Sequence, residues 1–130
     1  MLWIQDALAE FGRHMGVDGL AFGPGGLVEL RLENGSVLTI EDQSSTAEEL
    51  LIHLRRPVGY QAAGWLRNAL RRCHAECHSP WPCQVALRGQ GPDSQLLLLT
   101  RVGMRGFTPQ ALSQAIDHQL RWSESLRPMP

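Results

Sequence analysis

Residues 27–42 read LVELRLENGSVLTIED, and this stretch carries the clearest local structural signal in the chain. Its apolar residues alternate with polar ones at the two-residue period of a half-buried strand. Asn34-Gly35 interrupts the alternation with two residues that tolerate positive φ, as the centre of a type I′ turn requires. The stretch therefore predicts an antiparallel hairpin whose inward side chains are Val28, Leu30, Leu32, Leu38 and Ile40.

Three further strands are predicted after the hairpin. Residues 49–54 form a more continuous apolar run, which favours a central strand. Residues 84–88 and 95–102 form a second strand pair, joined by GQGPD, a composition typical of hairpin loops. The segment LLLLT at 96–100 has no polar face, so we expect this strand to be buried on both sides or to face a partner.

Two helices are predicted on either side of these first three strands. The first has an apolar stripe at helical spacing and ends at Gly16. The second covers residues 60–77, YQAAGWLRNALRRCHAEC, and ends before SPWP. Gly64 weakens the second helix by roughly 1 kcal/mol relative to alanine, so we expect a close packing contact there. The stripe of the first helix consists of Ile4, Ala7, Leu8, Phe11 and Met15.

The third helix begins with a recognisable capping sequence. Thr108 is suited to the N-cap and Pro109 to the first helical position. Its stripe consists of Leu112, Ala115, Ile116, Leu120 and Leu126. The element order is therefore α-β-β-β-α-β-β-α, which predicts an α+β fold with helices packed on a twisted antiparallel sheet, formed by one domain over residues 1–130.

The composition is that of an ordinary soluble protein, with 43% hydrophobic and 19% charged residues. No apolar run approaches the roughly 20 residues of a membrane helix, and the N-terminus lacks the pattern of a secretory signal. We therefore expect a cytoplasmic protein without a membrane span. Its three cysteines suit a reducing compartment rather than a disulfide framework.

Charge is distributed unevenly along the chain. Residues 1–54 contain nine acids and two arginines, whereas residues 55–130 contain ten arginines and four acids. A basic half is compatible with nucleic-acid binding, or with a solvated helix face and complementarity to another part of the assembly. Because the chain has no lysine, and a phosphate-binding surface would normally mix both bases, we favour complementarity and expect no nucleic acid.

The stretch RRCHAECHSPWPC at 71–83 leaves two functions open. On a helix, Cys73 and Cys77 continue the apolar stripe, whereas His74 and His78 lie on an arginine-rich flank. The first interpretation is that these cysteines are small core residues. The alternative is a small zinc-binding regulatory domain, although the spacing C-x3-C-x5-C lacks paired C-x2-C motifs. Its ligands would be Cys73, Cys77, His78 and Cys83.

No catalytic constellation is evident, and no enzyme activity or cofactor is predicted. Haem attachment requires C-x-x-C-H, which does not occur in the chain. The adjacent acids Glu48 and Glu49 would face opposite sides of a strand, so they form no acid–base pair.

A family resemblance is carried by Trp3-Ile4, by Phe11, by Gly16-Val17 and by the late helix LSQAIDHQLRW. In these features, in length and in element order, the chain resembles the class I type III secretion chaperones, the CesT/SycE-like family. Within it, the likeness is to SycN-type chaperones, which act with a second small chaperone on a YopN-type gatekeeper.

The resemblance implies a non-enzymatic bacterial chaperone of a virulence-associated secretion system. Such proteins bind the N-terminal segment of a secreted protein, here a YopN-like gatekeeper or an effector, in extended form with added strands and helix-in-groove contacts. The second subunit would be a YscB-like chaperone or another copy of this chain. Client binding is implied at Phe11, Met15, Leu30, Leu32 and Leu38. Dimerisation through the second helix and fourth strand is implied at Trp65, Leu66, Ala69, Leu70, Cys73, Val85 and Leu87.

Overall fold

An antiparallel sheet with the strand order β1-β2-β3-β5-β4 organises the fold. The computed structural model describes residues 2–43, 47–75, 81–103 and 108–128, and for residues 2 and 3 the main chain alone. Within these ranges β3 is central, as its apolar run predicts, and β1 and β4 are the edges. The strands are β1 (Leu27–Arg31), β2 (Val37–Asp42), β3 (Glu49–Pro57), β4 (Cys83–Arg88) and β5 (Gln95–Gly103).

The helices of the described part are α1 (Leu2–His14), α2 (Ala62–Ala75) and α3 (Pro109–Ser125). They pack on one face of the sheet, where α2 contacts β4 and β5, and α3 contacts β3, β5 and α1. The even-numbered side chains of β3 and β5 are accordingly buried, while most of the odd-numbered ones stay partly exposed. This arrangement confirms the predicted α+β class and element order.

The predicted hairpin forms, with Leu30 opposite Leu38, but its turn differs from the predicted type I′. Gly35 has a φ of +84°, whereas Asn34 is not among the residues with positive φ. The amide of Gly35 donates to the carbonyl of Leu32, and the amide of Leu32 donates to that of Ser36. The loop is therefore a type I turn followed by a left-handed glycine, one residue longer than predicted. Asn34 instead accepts the Ser36 amide through its side chain.

Both predicted helix-end signals are present. At the end of α1, the amide of Val17 donates to Gly12 and that of Gly16 to Arg13, with Gly16 at a φ of +81°. This pattern is the Schellman motif, which needs a left-handed residue at the position of Gly16. At the start of α3, the Thr108 hydroxyl accepts the amide of Ala111 at 3.0 Å.

The second helix is shorter than predicted at its N-terminus. A 3-10 turn over Gly59–Gln61 precedes α2, which begins at Ala62. The predicted last residues of this helix, Glu76 and Cys77, lie outside the described residues. None of the helices that the structure describes is long and apolar enough to cross a membrane.

Candidate functional site

A groove lies between α1 and α3 in the helical layer. Its cavity measures about 390 Å³. The floor comes from the buried stripe residues Phe11 and Ile116 and from half-buried Leu120, and exposed Met15 forms part of the wall. The C-terminal turn of α1 is thus packed against α3 without filling the space between them.

A second cavity, of about 360 Å³, adjoins the first at Leu120. It lies between α3 and the hairpin turn, and its apolar lining is Leu32, Leu54 and Leu120. Together the two cavities follow α3 from the end of α1 to the β1–β2 turn. They are referred to below as the α3 groove.

The rim of the α3 groove is mainly acidic. Glu10 and Asp117 line the first cavity with His14, and Glu33 and Glu124 line the second. Asp117 pairs with Arg121, and Glu124 pairs with Arg56. Within the described ranges, Glu10 and Glu33 form no ion pair. The groove is therefore chemically suited to an apolar segment flanked by basic residues.

The five predicted client-binding residues do not share one environment. Met15 is exposed and Leu32 is half-buried, and both line the α3 groove, whereas Leu30, also half-buried, lines neither cavity. Leu38 is fully buried in the core, so its prediction as a surface residue is corrected. Phe11 is 2% exposed and is corrected from a surface residue to a floor residue of the groove.

A second apolar surface lies where α2 meets the edge strand β4. Leu70 is 53% exposed and Leu87 is 38% exposed. Leu66, Cys73 and Val85 are half-buried beside them. These five residues are referred to below as the α2–β4 surface. An edge strand with unpaired main-chain groups next to exposed leucines is a typical contact surface for another chain.

Two residues predicted for the subunit contact belong to the core instead. Trp65 is 5% exposed and Ala69 is fully buried, so neither offers area to a partner. The guanidinium of Arg56 lies 4.7 Å from the centre of the Trp65 ring, a cation–π contact that covers the indole. Both residues are corrected to supports of α2 rather than contact residues.

Arg56 is itself an unpredicted feature, since its side chain is only 5% exposed. It donates to the Ser123 hydroxyl at 3.0 Å and to Glu124 Oε1 at 2.8 Å. Asn34 in the hairpin turn donates to the same carboxylate oxygen at 3.2 Å. The hydrogen bond from Arg56 lowers the pKa of Glu124, and the smaller effect of burial opposes it. One buried arginine thus joins β3, α2, α3 and, through Glu124, the hairpin turn.

Gln119 is the second functional-looking polar residue that was not predicted from the sequence. It is fully buried on α3, and its Nε2 donates to the carbonyl of Ile52 at 3.1 Å. The same nitrogen lies 3.3 Å from the hydroxyl of Thr100 on β5. Arg56 could have been found from the sequence, because it continues the alternation of Leu50, Ile52 and Leu54. Gln119 could also have been found, because it lies at positions i+7 from Leu112 and i+3 from Ile116, within the predicted apolar stripe of α3.

The cysteines were predicted either as core residues or as zinc ligands. Cys73 donates through Sγ to the main-chain oxygen of Cys83 at 3.1 Å, and Cys83 Sγ lies 3.3 Å from Thr100 Oγ1. Cys77 and His78 lie outside the described residues. Within the ranges that are described, no three histidine, cysteine or acidic residues form a group that could hold a metal ion.

The fold has counterparts among solved structures. The SchA chaperone–HopA1 effector complex contains a chain with a TM-score of 0.71 and 15% identity, covering 97% of this chain and 94% of that chain. The Yersinia pestis structure of the type III secretion chaperone SycH with a YscM2 fragment has a TM-score of 0.69 and 16% identity. The match covers 95% of this chain and 98% of that chain. The ExoT–SpcS complex from Pseudomonas aeruginosa has a TM-score of 0.61 and 14% identity. The match covers 96% of this chain and 97% of that chain. At these identities the likeness is one of fold.

Sequence comparison gives the family directly. Comparison with curated protein sequences finds no match. The family model of the type III secretory system chaperone SycN, however, matches residues 3–126, nearly the whole chain. The predicted resemblance to type III secretion chaperones is confirmed, and the chain belongs to the type III secretory system chaperone SycN family.

Proposed function

We propose that this chain is a non-enzymatic, cytoplasmic chaperone that holds the N-terminal segment of a secreted gatekeeper or effector in an export-competent state. The observation that carries the proposal is the α3 groove, a preformed apolar channel in a chain of a chaperone family. A structure of similar fold that contains a chaperone with an effector supports it. The whole of residues 1–130 would act as one chaperone domain.

The groove explains how binding can be favourable without a catalytic group. Burying one leucine-sized client side chain contributes roughly 1.5–3 kcal/mol, so a few anchors offset part of the cost of ordering an extended segment. The acidic rim at Glu10 and Glu33 would attract basic residues next to those anchors. Among gatekeeper and effector segments, we therefore expect a preference for apolar anchors with basic neighbours.

The α2–β4 surface is proposed as the contact with a second small chaperone subunit. α2 contains Arg67 and Arg71, both exposed, and no acidic residue over Ala62–Ala75. A twofold contact between two copies would bring these arginines together, since each surface then faces itself. A YscB-like partner with an acidic contact surface avoids this repulsion, so the heterodimer is favoured over the homodimer.

The test is binding of the N-terminal segment of a YopN-type gatekeeper to the chain purified with its partner subunit. Met15→Asp introduces a charge into an accessible wall of the α3 groove and should weaken binding at least tenfold, about 1.4 kcal/mol. Leu70→Asp places the same charge on the α2–β4 surface and should leave the intrinsic client affinity unchanged when the subunits are held together by a covalent linker. Unchanged affinity for Met15→Asp would contradict the groove assignment.

A further inference from the structure

The face of the sheet opposite the helices carries an apolar patch on β5 and β4. Leu97 and Leu99 of β5 point to this face, because Leu96 and Leu98 are fully buried under the helices. Ala86 of β4 is paired with Leu97 and is exposed. Val37 and Leu51 also point to this face, but they are buried at 8% and 7% exposure and offer little area to a partner. Leu97, Leu99 and Ala86 form the open-face patch.

An open sheet face normally shows polar residues at alternate positions, because water covers it. The run Leu96–Leu99 breaks this alternation, and four consecutive apolar residues at a half-exposed strand indicate a function. The sequence left two explanations for this run, burial on both sides or a partner. The helices of the described part pack on the other face, so none of them covers Leu97 and Leu99, and we favour a partner.

The charges around the open-face patch are predominantly positive. Arg55 of β3 is paired directly with Leu97, and Arg88 at the end of β4 is exposed. Neither arginine forms an ion pair within the described ranges. Two carboxylates on this face have close neighbours of their own, because Glu41 lies 3.5 Å from His53 Nε2 and Glu49 lies 2.7 Å from Arg101.

The charges on the outer strand β1 offset each other and do not change this balance. Glu29 and Arg31 both lie on the open face, separated from β5 by two strands. A partner placed over β5 and β4 would therefore meet Arg55 on one side and Arg88 on the other. A second copy of the chain would bring the same arginines, so like charges disfavour self-association through this face.

We propose that the open-face patch docks an acidic amphipathic helix of a partner protein. Helices are the elements that ordinarily cover a sheet face, whereas an added strand would need a sheet edge. Leu97 and Leu99 are separated by about 6.8 Å along the strand, close to the roughly 6 Å rise between positions i and i+4 of a helix. Small Ala86 leaves room beside them. Acidic residues flanking the apolar stripe would pair with Arg55 and Arg88.

This surface is independent of the α3 groove, because the two lie on opposite sides of the sheet. The probe is a synthetic helical peptide of about 18 residues with leucines at i, i+3, i+4 and i+7 and glutamates on both flanks. Its counterpart carries lysines in place of the glutamates. Fluorescence anisotropy with the purified protein should show at least tenfold tighter binding of the glutamate peptide, and amide shifts in an NMR spectrum should map to β5, β4 and β3.

Two variants test where the peptide binds and whether the arginines set its charge preference. Leu97→Asp should weaken binding of the glutamate peptide at least tenfold, while Met15→Asp in the α3 groove should leave the affinity for this peptide unchanged. The double charge reversal R55E/R88E should invert the preference in favour of the lysine peptide, with the fold checked by circular dichroism. Equal binding of the two peptides, no binding of either, loss of binding in Met15→Asp, or an unchanged preference after charge reversal would each overturn the proposal.

Discussion

At the scale of single residues, Arg56 shows how a buried charge is accommodated in this chain. Its guanidinium is stacked on Trp65 and bonded to Ser123 and Glu124, so most of its polar requirement is met inside the protein. Glu124 itself is 53% exposed, and solvent therefore weakens its attraction to Arg56. Removing the carboxylate would nevertheless leave a nearly inaccessible cation without its counter-charge.

We expect Glu124→Gln to lower the free energy of unfolding by about 1–2 kcal/mol at neutral pH. Because the folded-state pKa of Glu124 lies below its ordinary value of 4.5, its contribution is present above that pH. It is lost as the pH falls through the folded-state pKa. The difference between wild type and variant, measured by urea denaturation, should therefore shrink on acidification. Glu29→Gln, on the exposed edge strand, serves as the control with little effect at any pH.

Gly64 supports the second residue-scale prediction. A Cβ added at Gly64 would lie 3.1 Å from Cγ of Pro128, so the close contact expected from the sequence is present. Gly64→Ala gains up to about 1 kcal/mol of helix propensity but presses against the proline. We expect the full gain only in a Pro128→Gly background, because Cβ of Pro128 would also lie 3.3 Å from the added Cβ. Thermal unfolding of the four proteins in this double-mutant cycle measures the coupling, and equal gains in both backgrounds would exclude a contact penalty.

At the scale of elements, the sequence predicted what local patterns determine. The strand alternation, the Thr108-Pro109 cap and the Gly16 helix end depend on neighbours in sequence, and each appears in the structure. The predicted type of the hairpin turn was wrong. The number of loop residues depends on which residues of the two strands lie opposite each other.

The site residues show the same division. Met15 and Leu70 are exposed, as the proposed contact roles require, whereas Trp65, Ala69 and Leu38 are buried. A helical stripe does not reveal which of its residues a neighbouring element covers. The stacking of Arg56 on Trp65 joins residues of β3 and α2 that no local pattern relates.

The attachment of α2 leads to the element-scale prediction. Asn68 donates to the carbonyl of Leu126, and Arg72 donates to Ser125, so the inner side of α2 is fixed to the end of α3. The outer side is left with Leu70 exposed. Leu70→Asp should therefore keep the fold but weaken subunit association by at least about 2 kcal/mol, roughly thirtyfold.

Analytical ultracentrifugation with the YscB-like partner measures this loss of affinity. Met15→Asp is the matched control, because it adds the same charge at a similarly exposed position outside the α2–β4 surface. Undiminished association of Leu70→Asp would remove the α2–β4 surface as the subunit contact.

At the scale of the whole molecule, the charge asymmetry of the sequence becomes a spatial one. Acids of the first half, Glu10 and Glu33, lie at the α3 groove, and arginines of the second half, Arg67 and Arg71, lie on α2. If the proposed function is right, the two surfaces would select partners of opposite charge. A client with basic flanks and an acidic subunit could bind at the same time without competing for one site.

This separation predicts opposite effects of salt on two kinds of association. Between about 0.1 and about 1 M salt the Debye length falls from about 10 to about 3 Å, so interactions between exposed charges are largely screened. The chain alone should self-associate more strongly at high salt, because repulsion between Arg67 and Arg71 of two copies is removed. Association with an acidic partner subunit should weaken over the same range, because attraction is removed. Sedimentation of each sample at both salt concentrations measures the two trends. The double variant Arg67→Gln with Arg71→Gln should reduce the salt dependence of both associations. Parallel trends would show that these arginines do not set the choice of subunit.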